Sequence, residues 1–186
     1  NPTKDYVYIG KSSPAFEVAE GARLVCSNSY RAYYGSQTLT KTGKGLMEVA
    51  GNFDNVGSFV AFNVKEGTLR LAASAGNSQP TINVQKLTVK SGAKLVFRGG
   101  YKVANTKGSN APVTIEEGAS VELEDASGKV ILNGITGGGD ITALPGVASH
   151  LVVGAAQGYT GRISGNLYLG TSVGSAGVFT IDTADY

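Results

Sequence analysis

Four segments of this 186-residue chain share one phrase, in which apolar and polar residues alternate, break at a glycine and then resume. They are Phe16 to Leu24, Phe62 to Leu71, Leu87 to Phe97 and Val113 to Leu123, with the glycines at Gly21, Gly67, Gly92 and Gly118. The first gap holds about two units, and Gly45 in Thr40-Lys-Thr-Gly-Lys-Gly-Leu46 falls where the missing glycine belongs, so the period is about 22 to 26 residues. A unit this short cannot bury its own apolar face and must stack on copies of itself.

Inside a unit the alternation has period two: Val113 and Ile115 point one way, Thr114 and Glu116 the other, and Val121 and Leu123 return inward after the glycine. Each unit therefore reads as two short strands with a bend between them, glycine serving the bend because it lacks a Cβ. The second unit slips by one residue, with Leu69 and Leu71 nearer their glycine, which predicts a differently shaped corner. Gly is 27 of 186 residues and charged residues only 16%, while Val, Ile and Thr, which favour pleated strands, are abundant. No stretch of ten residues keeps helical apolar spacing uninterrupted. The reading is an all-β chain, one domain over 1–186, folded as a single-stranded right-handed parallel β-helix of about seven or eight rungs. An antiparallel β-sandwich is the alternative, although a sandwich has no reason to repeat one phrase at near-constant spacing.

Net charge is +2, too small for the whole surface to trap a polyanion, so nucleic acid is not an expected partner. One cysteine, Cys26, and one histidine, His150, exclude a disulfide framework and a Cys/His zinc site, and neither metal nor cofactor is expected. No apolar run is long enough for a membrane-crossing helix. The first ten residues lack the pattern of a signal peptide, and the absence of an initial Met reads as a piece of a longer polypeptide.

The stretch Leu39-Thr-Lys-Thr-Gly-Lys-Gly-Leu-Met-Glu-Val-Ala-Gly-Asn52, continuing through Val56-Gly-Ser58 to Val64-Lys-Glu-Gly-Thr-Leu-Arg-Leu71, resembles the autotransporter-associated β-strand repeat of bacterial secreted passengers. A looser copy runs from Gly138 to Leu144, Leu151 to Gly154 and Gly158 to Gly165. The resemblance implies a β-helical stalk or passenger segment exported to the cell surface of a Gram-negative-type bacterium, with no chemistry of its own. It carries no C-terminal membrane barrel. On that reading the chain is part of a secreted or surface protein that presents loops for adhesion to host glycans or proteins. A passive spacer is the alternative, and a polysaccharide lyase or hydrolase a further one.

An enzyme of that kind needs paired acids, and Glu116, Glu117, Glu122, Glu124 and Asp125 supply candidates, with Glu122 and Glu124 on one outward face. The alternative is a solvated strand face. His150 has no Ser or Asp motif in support, Cys26 shares an inward parity with Leu24, and Gly137-Gly-Gly-Asp140 is similar to half of a calcium-binding nonapeptide present only once. Between Gly67 and Ile115 there are basic residues and no acid, whereas Glu116 to His150 is acidic. Lys86, Lys90, Lys94, Arg98 and Lys102, opposite in parity to Leu87, Val89, Leu95 and Phe97, form a candidate basic ridge for an acidic glycan or lipopolysaccharide phosphate. Aligning the units also places Lys90 beside Glu116 and Arg98 beside Glu124, so the ridge is alternatively neutralised across rungs. Tyr30, Tyr33 and Tyr34, in Ser29-Tyr-Arg-Ala-Tyr-Tyr-Gly35, are candidates for sugar or protein recognition on a loop, or else cover an open end of the core.

Overall fold

The protein is described by a computed structural model covering residues 6–10, 12–27, 29–32, 37–50, 53–54, 61–72, 81–104, 111–124, 129–132, 134–146, 149–154 and 158–171. Its strands stack as a β-solenoid with three walls. Sheet I holds Tyr6–Ile9, Ser29–Ala32, Phe53–Asp54, Thr81–Asn83, Tyr101–Ala104, Lys129–Leu132, Ser149–Val153 and Leu167–Thr171. Sheet II holds Ala15–Glu17, Thr38–Thr42, Ala61–Val64, Leu87–Val89, Val113–Ile115 and Ile135–Thr136. Sheet III holds Arg23–Cys26, Leu46–Val49, Thr68–Ala72, Lys94–Arg98, Ser120–Leu123, Asp140–Ala143 and Ile163–Ser164.

Every strand pairing among the described residues is parallel, which excludes the antiparallel sandwich. The repeated phrase is a sheet II strand, a corner and a sheet III strand. A coil thus has three strands where the phrase shows two, because the sheet I strand lies beyond the repeated residues at a variable distance.

Inward positions line up in register. On sheet III, Met47, Leu69, Leu95, Val121 and Ile141 form one column, and Val49, Leu71, Phe97, Leu123 and Ala143 the next. On sheet II, Leu39, Phe62, Leu87, Val113 and Ile135 do the same. These side chains are at most 2% exposed, so each contributes about 1.5–3 kcal/mol if it is a Val, Leu, Ile, Met or Phe. The core is continuous because every coil covers the apolar edge of the one before.

The slipped register of the second unit has a simple cause. Gly67 shares its level with Gly45, directly before the sheet III strand, whereas Gly92 and Gly118 stand one residue further back. The corner at 65–67 is therefore one residue shorter than those at 90–93 and 116–119. Gly45 is not the bend residue of its coil: Gly43 is the one with positive φ, at 70°.

Candidate functional site

Outward side chains on sheet III make a belt of charge. Arg23 donates to Glu48 at 2.9 Å, Arg70 to the same Glu48 carboxylate at 3.4 Å, and Arg70 again to Glu124 at 2.7 Å. Lys94 meets Glu122 at 2.5 Å, and around the corner Lys90 meets Glu116 at 2.5 Å. Glu116 also accepts from the Ser91 backbone N–H. Beneath the belt lies Val96, an outward residue by alternation yet only 1% exposed, in register with Arg70 and Glu122.

The electrostatics follow from these contacts. Burial opposes ionisation of Glu48, but the Arg23 and Arg70 guanidiniums outweigh it and hold the carboxyl below its usual range. Burial likewise works against charged Arg70, and Glu124 and Glu48 outweigh it, raising its pKa. Glu116 is lowered chiefly by its Lys90 hydrogen bond. A general acid needs the reverse, a carboxyl pushed up toward neutrality.

The basic ridge of the sequence is not a ridge. Lys86 and Lys90 bracket the sheet II strand Leu87–Val89, Lys94 and Arg98 bound the sheet III strand, and Lys102 sits on sheet I, so the five wrap around one coil. Leu87, Val89, Leu95 and Phe97 do point inward as their parity requires. Lys90 does meet Glu116, but Glu124 pairs with Arg70 instead of Arg98, reaching across the coil that carries Val96. Glu122 and Glu124 do share the outward face, each bound to a cation.

Tyr30 is corrected from loop to core. It lies in the sheet I strand Ser29–Ala32, is 2% exposed, and packs edge-on against Phe16 with centroids 5.9 Å apart. Burial, together with its neighbour Cys26, raises its phenol pKa well above the ordinary value. Tyr33, Tyr34 and Asp125 lie outside the described residues. Cys26 is half-buried against the core in the first described coil, as its parity predicts.

Two features escaped the sequence reading. Lys41 occupies an inward position, in register with Phe16 and Val64, and is fully buried. Its Nζ donates to the carbonyls of Thr42 at 3.0 Å, Gly43 at 2.5 Å and, in the next coil, Glu66 at 2.9 Å. The lysine of the Thr-Lys-Thr-Gly phrase is therefore a clip between coils, and desolvation lowers its pKa although Glu66 opposes that. Period-two parity marks it as inward; no sequence pattern shows the three carbonyls that accept its charge.

The second is the outer face of sheet I toward the C-terminal coils. Lys129, His150 and Tyr168 form one register column, and Lys102, Ile131, Val152 and Gly170 the neighbouring one. Tyr168 is 64% exposed, and its ring meets the His150 imidazole edge-on at 4.9 Å. At Gly137–Asp140 the chain makes a close corner instead of half an ion site: Gly139 N–H donates to the Ile115 carbonyl and Asp140 accepts from the Arg162 N–H. Among the described residues no group of three His, Cys, Asp or Glu is placed to hold a metal ion.

Compared with known proteins, the chain matches no family model, no curated protein and no solved structure.

Proposed function

We propose that this chain is a module of a bacterial surface or secreted protein, a β-solenoid stalk that presents its connections for adhesion to glycans or proteins outside the cell. One observation carries the reading. The corner from sheet II to sheet III is held to three or four residues in the middle coils, at 43–45, 65–67, 90–93, 116–119 and 137–139, whereas the other connections vary widely. From sheet I to sheet II the chain uses 55–60 in one coil, 84–86 in the next and 105–112 after that; from sheet III to sheet I it uses 73–80, then 99–100, then 124–128. A scaffold with one constant edge and two variable ones separates the residues that hold the fold from those free to recognise a partner.

The resemblance of Leu39 to Leu71 to the autotransporter-associated repeat supports the same assignment, including export. The cation-bound carboxylates of sheet III support a role without catalysis, since they are engaged in holding coils together. That engagement also favours the second reading, a passive spacer that binds nothing itself.

The test is binding of the purified chain to an array of neutral, sulfated and sialylated glycans and to extracellular-matrix proteins. Saturable binding to any of them supports adhesion. Silence across both panels at micromolar concentration, from a folded sample, would sink it in favour of the spacer.

A further inference from the structure

We infer that the outer face of sheet I, centred on Tyr168, is a binding platform for an acidic oligosaccharide lying along the solenoid axis. The inference rests on the adhesive reading above and names its ligand class and its residues.

The geometry starts with register. Because parallel strands pair residue for residue, one outward position repeats every coil about 4.8 Å along the axis. Lys129, His150 and Tyr168 are three successive steps of one column. The adjacent column runs Lys102, Ile131, Val152 and Gly170, so it is cationic at one end, aliphatic in the middle and bare at the other. Gly170 is bare without steric need: a Cβ there would meet Val152 Cγ2 at 3.5 Å, an ordinary contact. The missing side chain leaves a step beside the exposed Tyr168 ring, and His150 braces that ring edge-on.

An exposed, braced aromatic next to an aliphatic floor suits the apolar C–H face of a pyranose, with hydroxyls left to the polar tips. Size favours a sugar over a protein. From Tyr168 back to the level of Lys102 is about 14 Å, the length of roughly three sugar rings, and the two columns are far smaller than the roughly 800 Å² per partner that stable protein contacts need.

Charge narrows the class. From Thr81 to Gly170 the described outward side chains of the sheet I strands include Lys102, Lys129 and His150 and no carboxylate. Sheet III is different, since carboxylates stand among its own outward side chains: Glu48 accepts from Arg23 and Arg70, and Glu122 from Lys94. A ligand whose ring faces stack on Tyr168 and whose carboxylates lie toward Lys102 uses both ends of the platform. Uronates and sialates share that chemistry.

The test titrates the whole chain with trigalacturonate, 3′-sialyllactose and maltotriose by calorimetry, at about 20 mM and about 200 mM salt. Trigalacturonate or sialyllactose should bind, the tighter of the two identifying the source, and maltotriose at least tenfold more weakly. Tyr168→Ala should weaken acidic-sugar binding about tenfold with an unchanged melting temperature, because the ring is largely exposed; Tyr168→Phe should restore it. Lys102→Gln should flatten the salt dependence. Acidic-sugar binding that survives Tyr168→Ala intact, or maltotriose binding as tightly as the acids, overturns the platform while leaving adhesion standing. Failure of both acidic probes also overturns the platform, and only failure of the complete glycan and protein panels removes adhesion with it.

Discussion

The edge between sheets II and III and the two other edges of the solenoid obey different rules. At the first, the middle coils cross in three or four residues with a positive-φ glycine in each corner, and at Gly43, Gly45, Gly67, Gly137 and Gly139 the backbone of the adjacent coil lies too close for a side chain. A Cβ on Gly139 would strike the carbonyl oxygens of Glu116 and Ala119 and the Ile115 side chain. At the other two edges the connections change length from coil to coil without disturbing the register of the strands they join. A solenoid therefore needs only one wall-to-wall corner to set its pitch, and the remaining two are free to differ.

Length change is the strongest way to break that contrast. Inserting Gly-Ser-Gly after Gly67 should cost about 4 kcal/mol or more, since it displaces a corner packed between two others. The same insertion after Gly76, between the strands Thr68–Ala72 and Thr81–Asn83, should cost under about 1 kcal/mol, because the spacing between sheet III and sheet I strands already differs from coil to coil and lengthening it adds only a small closure entropy. Urea denaturation of the two variants measures both, and equal losses would erase the distinction.

A finer version stays within the glycine corners. Gly139→Ala should lose about 3 kcal/mol through steric conflict with fixed backbone. Gly92→Ala meets no neighbour within 4 Å and has only its φ of 75° to strain, so about 1 kcal/mol is expected.

Lys41 sharpens the comparison from inside. Lys41→Met keeps the volume but leaves the Gly43 and Glu66 carbonyls without the Nζ donor, while the Thr42 carbonyl keeps the Val18 N–H, for a loss of about 2 kcal/mol. The pH dependence gives it a signature. Its folded pKa is below 10.5, so between the folded and unfolded values the unfolded chain holds more protons and stability rises with pH. Buried Tyr30 and Tyr101 and half-buried Tyr159 have raised pKa values and oppose that rise as tyrosines ionise in the unfolded chain, so it is read as the difference between the parent and the Lys41→Met variant across the alkaline range. Thermal melts of the Lys41→Met variant should lack the rise.

The smallest expected effect is on the outer belt. Glu48→Gln should cost about 1 kcal/mol at neutral pH, since it weakens the contacts to Arg23 and Arg70 without leaving a cavity. Glu48 and Glu116 have folded pKa values below 4.5, so their contribution is present above that value and is lost as pH falls through the folded ones. The melting temperature of the parent chain should drop between about pH 5 and pH 3, and the drop should be shallower in the variant.

Much of this architecture is legible in the chain because a stacked fold writes itself once per coil. Alternation placed Leu87, Val89, Leu95, Phe97, Val121 and Leu123 inside, and the glycine spacing marked the one edge that is constant. The third strand of each coil left no such mark: Tyr101–Ala104 and Lys129–Leu132 follow connections of unequal length, so no fixed spacing reveals them. Tyr30 looked like a loop residue for the same reason, its strand being sheet I.

What the amino-acid order determined by itself is therefore local: which residues alternate, where a Cβ is missing, and hence that coils stack in parallel. The tertiary structure decided what lies across a coil boundary. Arg70 reaches Glu124 over Val96, Lys41 finds a carbonyl of the next coil, and Lys129, His150 and Tyr168 become one column. Those partners are some 20 to 55 residues apart along the chain, and nothing in a residue's neighbours in sequence encodes the register that brings them together; only closing each coil at its particular length does.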